Sequence, residues 1–393
     1  MSRVLLILPT ATYRAPDFLA AARALGVEVV VGSEQPQALA SAMGDRSVVV
    51  PLDDLETAME VVATLHERSA LDAVVAVDDR GVVIAAAAAA RLGLLHNPLD
   101  AVAATRDKAK MRGAFAAAGV PQPRFEVVDG GPTGRVGFPC VIKPISLSAS
   151  RGVIRADNPA AAATATARVR AIASGPLLVE EYVPGIEVAL EGLLRAGHLE
   201  VLAVFDKPDP LEGPYFEETM FVTPSRLAPE VLATIERVAA DAAAALGLVE
   251  GPVHAELRID RDRVVMLELA ARSIGGLCSR TLRFGAGISL EEVVLRHALG
   301  LPLADLGREA AAAGVMMIPI PRAGTLEAVR GQDDARAVPG VVGLEITIAR
   351  GRPVQPLPEG DRYLGFLFAR GSTPDEVEAA LRAGHACLDV VLA

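Results

Sequence analysis

Two glutamates, Glu256 and Glu268, constrain this chain more than any other feature. Val253–Ile259 alternates apolar and polar residues, which predicts a half-buried strand, and Val264–Leu269 is mostly apolar, which predicts a buried return strand. The charged stretch between them predicts a turn. If the glutamates pair across this hairpin, the turn centres on Asp262, and both carboxylates point to one face because strand side chains alternate.

A carboxylate in an apolar strand is unfavourable unless it is paired or bound to a cation. Glu268 stands in such a strand, and a second carboxylate on the same face adds repulsion. A divalent ion resolves both problems, and Mg²⁺ prefers hard oxygen ligands. Arg272 follows four residues after Glu268, where it could meet an anion. An ordinary hairpin, with the glutamates paired to Arg258 or Arg272, remains open here.

Composition excludes several classes of protein. The chain has 393 residues, enough for several domains, and no uninterrupted apolar run long enough to span a membrane. Its net charge of −11, without a cluster of basic residues, argues against a nucleic-acid partner. Three scattered cysteines predict neither disulfides nor a zinc site. Residues 1–8 read as a first strand rather than a signal peptide, so we expect a cytoplasmic protein.

The first hundred residues alternate strand and helix patterns, which predicts a doubly wound parallel sheet. Ligands of such sheets bind beyond the carboxyl ends of the strands, where residues 9–13 and the pair Asp78 and Asp79 lie. No glycine-rich dinucleotide motif follows the first strand. The two aspartates could equally cap the next helix.

A second, smaller α/β unit carries further candidate ligand-binding residues. Its strand 141–144 ends in Lys143, which is unusual for a buried strand unless the lysine meets an anion. Residues 144–152 form a loop of small residues whose hydroxyls and backbone N–H groups could hold phosphate, although serine-rich turns are also common. Residues 178–187 read as a strand that could pair with an adenine edge, followed by Glu187, suited to ribose hydroxyls.

Three further side chains have two interpretations. His254 shares the face of Glu256 and could orient a substrate, or it could be a core histidine with a satisfied hydrogen bond. Glu217 and Glu218 lie in a long loop rich in proline and glycine. They could bind a substrate amino group, or they could belong to a solvated acidic loop.

In chain order these segments resemble the ATP-grasp family. The resemblance covers residues 105–276 and rests on Asp107-Lys108, Val141–Pro144, the loop that ends Ser150-Arg151-Gly152, Glu180–Glu187, Glu256 and Glu268–Arg272. Within the family the chain is most similar to the carboxylate–amine ligases that include the L-amino-acid ligases, or dipeptide synthetases. Residues 205–208, 214–218 and 268–276 carry that narrower resemblance.

The resemblance implies a role for each candidate residue, with ATP and Mg²⁺ as cofactors. Lys108 and Lys143 would contact the ATP phosphates, Lys143 also in catalysis, and Ser148, Ser150 and Gly152 would belong to a flexible lid. Glu180 would face the adenine amino group, Glu181 and Val183 would offer backbone contacts, and Glu187 would hold the ribose. Glu256 and Glu268 would bind Mg²⁺, and Arg272 would hold the acyl phosphate. Substrate-binding candidates are Glu217, Glu218, His254, Gly275 and Gly276.

The implied fold is α/β (α+β): an N-terminal doubly wound domain (1–104), a lid part (105–188), a metal-binding part (189–300) and a C-terminal lobe (301–393). The implied activity joins a carboxylate to an amine through an acyl phosphate, with small-molecule partners and no nucleic acid or membrane; a homodimer stays open. One departure is Ala270, where many members have asparagine, which leaves open whether one or two Mg²⁺ bind. The alternatives are a bicarbonate-activating carboxylase and a non-catalytic ATP-binding regulator.

Overall fold

The structure is a computed structural model that describes residues 1–37, 40–303 and 305–393. Its helices are α1 Ala15–Leu25, α2 Ala40–Met43, α3 Leu55–Arg68, α4 Val82–Arg91, α5 Leu99–Thr105, α6 Lys108–Ala118, α7 Pro159–Ile172, α8 Pro229–Leu246, α9 Leu290–Ala298, α10 Gln332–Ala337 and α11 Pro374–Ala386. Its strands are β1 Arg3–Ile7, β2 Glu28–Ser33, β3 Ser47–Val49, β4 Ala73–Ala76, β5 Phe125–Val128, β6 Cys140–Pro144, β7 Ile154–Ala156, β8 Leu177–Glu181, β9 Ile186–Arg195, β10 His198–Asp206, β11 Met220–Thr223, β12 Gly251–Asp260, β13 Arg263–Ala270, β14 Ala312–Ile318, β15 Gly324–Arg330, β16 Val341–Ile346, β17 Pro353–Val354, β18 Gly365–Gly371 and β19 Asp389–Leu392.

The predicted doubly wound sheet is confirmed. Strands β1–β4 form a parallel sheet in the order β3-β2-β1-β4. Helices α3 and α4 pack on one face through the cluster around Leu5 and Ile7, while α1 and the distant α9 pack on the other around Val4 and Leu6. Since strand side chains alternate, each strand supplies both faces. Helix α9 therefore joins one face of this sheet to the large sheet, where it contacts β12.

A four-stranded antiparallel sheet, β5-β8-β6-β7, forms the small unit that we call the lid. Helix α7 covers one face through Ala162, Ala165 and Val169, which meet Cys140 and Ile142 of β6. Asn158 caps α7 by accepting a hydrogen bond from the Ala161 N–H. The lid therefore has its own small core.

The predicted hairpin is present in the large sheet, whose order is β13-β12-β9-β10-β11-β14-β18-β16. Glu256 and Glu268 are paired, as expected, but the turn is tighter than predicted, because Asp260 already pairs with Arg263. A β-bulge next to Glu256 restores the register. This sheet runs past residue 300, since β14 and β18 belong to it.

Two helices of the later chain, α9 and α11, begin at side-chain caps. Ser289 accepts from the Glu292 N–H at the start of α9, and Thr373 accepts from the Glu376 N–H at the start of α11. Helix α11 packs on the outer strands of the large sheet, and β17-β15-β19 adds a small sheet. Within the described ranges, no helix is both long and apolar enough to cross a membrane.

Candidate functional site

A cavity of about 340 Å³ lies where the parallel-sheet domain, the lid and the large sheet meet. The parallel-sheet domain contributes Tyr13, Asp78 and Asp79, from the two loops expected beyond the carboxyl ends of β1 and β4. The lid and the hairpin contribute most of the remaining polar side chains. The site therefore draws on three separate parts of the chain.

The cavity brings together every candidate site residue except Gly152 and Glu217. Its lining includes Lys108, Lys143, Ser148, Ser150, Glu180, Glu181, Val183, Glu187, Glu218, His254, Glu256, Glu268, Arg272, Gly275 and Gly276.

Lys108 is positioned by the start of α6. Asp107 caps this helix by accepting from the N–H groups of Ala109 and Lys110, so that Lys108 becomes its first residue. The Lys108 ammonium donates to the Leu147 carbonyl at 2.7 Å and to Glu268 at 3.1 Å. Lys108 thus links the loop of residues 144–152, a candidate phosphate-binding loop, to the hairpin of β12 and β13.

Lys143 and Glu180 form a buried ion pair at 2.6 Å, completed by the Arg112 guanidinium at 2.5 Å from the other oxygen of Glu180. Burial alone would raise the pKa of Glu180, but Arg112 and Lys143 bring it down to about 2. Burial also lowers the pKa of Lys143, an effect that Glu180 opposes. The Glu180 carboxylate is thus held by protein cations, which differs from the expected side-chain contact with adenine.

The segment between β8 and β9, which we call the hinge, keeps one backbone N–H group available to a ligand. The Glu181 N–H donates to the Arg124 carbonyl at 2.8 Å, and the Val183 carbonyl accepts from Arg258 at 2.7 Å. Among the described residues, none accepts a hydrogen bond from the Val183 N–H. The guanidinium groups of Arg155 and Arg258 both contact the Tyr182 ring, at 4.1 and 5.4 Å from its centroid, which restrains this segment.

Lys207 lies among three carboxylates. Its ammonium is 2.7 Å from Glu187, hydrogen-bonds to Glu218 and is 3.8 Å from Glu256. Oxygen atoms of those glutamates lie within 4.8 Å of one another. Burial would lower the pKa of Lys207, but Glu187 and Glu218 raise it above its ordinary value, so the side chain stays cationic. Arg258 pairs with Glu187 at 2.9 Å, rather than with a hairpin glutamate.

His254 is a buried histidine with satisfied partners that also lines the cavity. Its Nδ1 lies 2.5 Å from Glu191, and its Nε2 lies 3.5 Å from Glu256. Burial alone would lower its pKa, but Glu191 and Glu256 raise it to about 9. Glu191 also accepts from the Ile274 N–H at 3.0 Å, which ties the histidine to the segment after β13.

Glu256 and Glu268 face the cavity as cross-strand neighbours, each with 28% of its side chain exposed. Burial would raise the pKa of Glu256, but Lys207 and then His254 hold it below its ordinary value. These are hard oxygen donors from adjacent strands, a set that fits Mg²⁺. The alternative in which they pair with Arg258 or Arg272 is wrong, because those arginines have other partners.

Arg272 is clamped by the parallel-sheet domain. Its Nε and Nη2 donate to the two oxygens of Asp79 at 2.8 and 3.0 Å, and Arg106 lies 3.2 Å from the same carboxylate. Burial would raise the pKa of Asp79, but Arg272 and Arg106 hold it well below its ordinary value. The helix-capping alternative for the aspartates is wrong: Asp79 is engaged by arginines, and Asp78 makes no side-chain cap.

Two candidates lie outside the cavity lining. Gly152 has φ of +72°, and its N–H donates to the Pro358 carbonyl at 2.9 Å. This hydrogen bond attaches the end of the loop of residues 144–152 to Pro358. Glu217 lies beside the cavity, and burial raises its pKa. Ala149 and Ser150 also have positive φ, a conformation that costs free energy in non-glycine residues.

The sequence analysis missed two sets of residues. Arg112 and Lys207 are buried cations whose partners are distant in sequence, although Arg112 stands one helical turn after Lys108. The second set is part of the apolar lining, which sequence patterns could not separate from ordinary core: Phe216, Phe221, Ile274, Cys278, Met317 and Tyr363.

Three family models match the chain, described as "ATP-grasp N-terminal domain" over residues 19–96, "ATP-grasp domain" over 136–281, and "L-amino acid ligase C-terminal domain 2" over 316–393. The chain belongs to the ATP-grasp family, with the domain composition of its L-amino-acid-ligase branch. This confirms the fold and the family expected from the motifs.

Known relatives agree with this placement. The chain is 27% identical to alanine–anticapsin ligase of Bacillus subtilis (strain 168) over 269 residues, which is 61% of this chain and 56% of that protein. It thus spans little more than half the length of that curated relative. A crystal structure of an L-amino acid ligase from Bacillus licheniformis is 26% identical, with a TM-score of 0.87 over 100% of this chain and 99% of that one. A carboxyaminoimidazole ribonucleotide synthase from Aspergillus clavatus complexed with ATP, 16% identical over 98% of each chain with a TM-score of 0.78, shares the fold.

Proposed function

We propose that the protein is an ATP-dependent carboxylate–amine ligase that activates an amino acid as an acyl phosphate and joins it to an amine. One observation carries the proposal: a single cavity holds two lysines, two cross-strand carboxylates and a clamped arginine. The resemblance of the whole chain to an L-amino acid ligase supports it.

The reaction has two steps. A carboxylate oxygen attacks the γ-phosphorus of ATP, the bond from that phosphorus to the bridging oxygen breaks, and ADP leaves. An amine then attacks the acyl carbon, phosphate leaves with the bonding electron pair, and the nitrogen loses a proton. The first step depends on charge neutralisation and alignment more than on covalent help from the protein.

Each cavity residue has a role in this scheme. Lys108 and Lys143 neutralise the phosphates, with Glu180 and Arg112 holding Lys143 in place. The Val183 and Glu181 backbone lies against adenine, and Glu187 beside the ribose. The loop with Ser148, Ser150 and the anchoring Gly152 excludes water from the acyl phosphate, which water would otherwise hydrolyse. Glu217, Glu218, His254, Gly275 and Gly276 surround the substrates.

Glu256 and Glu268 would hold Mg²⁺, which neutralises charge on the transferring phosphoryl group when bound. Arg272 is placed by Asp79 to stabilise the negative charge that develops as the amine attacks. Removing a preorganised donor of this kind costs about 10²–10³ in rate. Arg272→Lys keeps the charge but loses the planar fork, so it should retain part of the activity.

The decisive experiment follows ADP release and product mass with ATP, Mg²⁺ and amino acids singly and in pairs. Arg272→Ala should still bind ATP and yet form almost no amide. ADP release that depends on bicarbonate would instead favour a carboxylase, and nucleotide binding without turnover would favour a regulator. Parent-like amide yield from Arg272→Ala would contradict the role given to this arginine.

The four segments 1–104, 105–188, 189–300 and 301–393 act as parallel-sheet domain, lid, metal-binding part and C-terminal lobe. The ligase works in the cytoplasm on small molecules, as a monomer or a homodimer, which size-exclusion chromatography with light scattering distinguishes.

A further inference from the structure

Arg14 is a buried arginine of the parallel-sheet domain to which the proposed reaction gives no role. It directly precedes α1, it is 3% exposed, and its guanidinium carbon lies 5.3 Å from the centroid of the Phe18 ring. Its backbone carbonyl accepts from the N–H groups of Asp17 and Phe18, which fixes where the helix begins. The Arg14 side chain therefore extends from a fixed backbone position.

The Arg14 guanidinium joins two segments that are distant in sequence. Its Nη1 donates to the Val77 carbonyl at 2.9 Å, and its Nη2 donates to the Ser273 hydroxyl at 2.8 Å. Val77 stands two residues before Asp79, and Ser273 directly follows Arg272. Hydrogen bonds from a charged donor are roughly twice as strong as those between neutral groups. Arg14 thus holds the loop that carries Asp79 next to the segment that carries Arg272.

The contact with Ser273 continues to the Arg272 guanidinium. Nη1 of Arg272 donates to the Ser273 carbonyl at 2.9 Å, while its Nε and Nη2 donate to Asp79. Arg14 therefore supports both groups that orient Arg272, one through Ser273 and the other through the loop of Asp79. Ser273 itself does not line the cavity, so its hydroxyl acts only through its neighbours.

Glu291 of α9 supplies a countercharge to Arg14 without orienting it. Its Oε1 lies 3.5 Å from Nη2 of Arg14, and the residue is 2% exposed. Neither this oxygen nor Nε of Arg14 has a hydrogen-bond partner among the residues that the structure describes. A buried polar atom without a partner is uncommon and requires an explanation. Here the guanidinium is directed to Val77 and Ser273 at the expense of the ion pair, as expected for a side chain that positions a site.

We propose that Arg14 is a positioning residue for the amide-forming step. Through Ser273 it holds the Arg272 guanidinium in the orientation that meets the negative charge developing as the amine attacks. This inference rests on the proposed ligase function and adds to it a residue of the parallel-sheet domain. ATP affinity should not depend on Arg14, because the residues proposed to hold the nucleotide lie on other segments.

The first test is Ser273→Ala, which removes the acceptor of Arg14 without changing a residue that lines the cavity. Amide formed and ADP released are measured with ATP, Mg²⁺ and an acid–amine pair that the parent joins. Amide formation should fall about tenfold, a smaller loss than the roughly 10²-fold that misplacement of a reacting group by about 1 Å can cost. The amide formed per ADP should also fall, because water then competes for the acyl phosphate. The KM for ATP should stay within about twofold of the parent value.

Ser279→Ala is the matched control. Ser279 is another buried serine shortly after Arg272, 1% exposed, but its hydroxyl has no hydrogen-bond partner in the described part of the chain. This variant should form amide like the parent. Unchanged amide formation in Ser273→Ala, or an equal loss in both variants, would overturn the proposal. Equal losses of amide, ADP release and ATP affinity in Ser273→Ala would also overturn it, because a general loosening of the structure has that effect.

The second test asks whether Arg14 and Ser273 act together. Arg14→Lys keeps the charge beside Glu291 but lacks the planar fork that reaches both Val77 and Ser273. Arg14→Lys should lower amide formation by about tenfold or more, and adding Ser273→Ala should cost less than about twofold further, because residues in one hydrogen-bond network are not additive. Parent-like amide formation in Arg14→Lys, or losses that multiply in the double variant, would overturn the proposal. A parent that binds ATP but joins no acid–amine pair would overturn the ligase function, and this inference with it.

Discussion

At the scale of single residues, the site is organised by buried cations as much as by carboxylates. Lys207 is 7% exposed as a residue, and its ammonium contacts the glutamates that we assign to ribose and to Mg²⁺. Removing one partner of a buried ion pair typically costs about 3–5 kcal/mol, which is far more than the net contribution of the intact pair. Lys207 therefore neutralises a carboxylate cluster that would otherwise attract a divalent ion without nucleotide.

Lys207→Met should create affinity for divalent cations in the absence of ATP. Removing the ammonium leaves oxygens of Glu187, Glu218 and Glu256 within 4.8 Å of one another, and such a set of hard donors suits a divalent ion. Calorimetric titration with Mn²⁺, without nucleotide, should show binding at least about tenfold tighter than in the parent, a difference of 1.4 kcal/mol. Lys110→Met, an exposed lysine on α6, should behave like the parent. Equal Mn²⁺ affinity in both variants would show that Lys207 does not exclude the ion.

Asp79→Asn should uncouple Arg272 from the parallel-sheet domain. The two-oxygen contact is lost, because the amide keeps one acceptor oxygen and turns an NH₂ donor towards the other guanidinium N–H group. Misplacement of a reacting group by about 1 Å can cost about 10²-fold in rate. We expect amide formation to fall by about 10–100-fold with ATP affinity unchanged. Asp53→Asn, whose side chain is 88% exposed, is the control.

Asp79→Asn should also change how the free energy of unfolding depends on pH. The pKa of Asp79 is held below its ordinary value of 3.8, so the stability it contributes is complete above that pH and is lost as the pH falls below it. The difference in the free energy of unfolding between parent and Asp79→Asn should therefore shrink on acidification. A constant difference would mean that the Asp79 ion pair does not contribute to folding.

At the scale of secondary-structure elements, local patterns predicted much of the fold. The hairpin register, the α9 and α11 caps and the βαβ alternation depend on neighbours along the chain, where periodicity and capping chemistry apply. The partners of Glu180 and Arg272 could not be predicted, because they lie 68 and 193 positions away. Nor could the apolar lining of the cavity be predicted, since a cavity-lining Met317 and a core methionine have the same sequence pattern. The bulge that corrects the hairpin register also left no local signal.

The hinge between β8 and β9 should tolerate no side chain at Gly185. A Cβ there would lie 2.0 Å from the Ile259 carbonyl oxygen, at φ of +98°. Gly134 is the matched control, because it has φ of +87° and open space around its Cβ position. Gly134→Ala should lower the free energy of unfolding by about 1 kcal/mol, because of backbone strain. Gly185→Ala should lower it by about 2 kcal/mol more, because the hairpin must also move. Urea unfolding of both variants measures the difference, and equal losses would show that the hinge accommodates the clash.

At the scale of the whole molecule, the lid is held in place from two sides. Lys143 and Glu180 join it to α6 through Arg112, deep in the structure. On the outer side, Arg168 of α7 makes two contacts with Glu359 of the C-terminal lobe, at 2.5 and 3.0 Å. The inner contacts are buried and the outer pair is about one third exposed, so the outer pair is easier to break. We therefore expect the Arg168–Glu359 pair to be the weaker of the two attachments of the lid.

Glu359→Gln should weaken this Arg168–Glu359 attachment of the lid without changing a residue that lines the cavity. The partly exposed ion pair contributes only about 0.2–1 kcal/mol, so the lid should open up to about fivefold more often. We expect faster hydrogen exchange in α7 and β6–β7 and up to about fivefold faster release of a bound fluorescent ATP analogue, with unfolding by urea almost unchanged. Glu327→Gln, an exposed glutamate on β15, is the control. Exchange in the lid equal to that of the parent, together with unchanged nucleotide release, would show that the inner contacts alone hold the lid. Faster exchange throughout the chain would instead place the effect in overall stability.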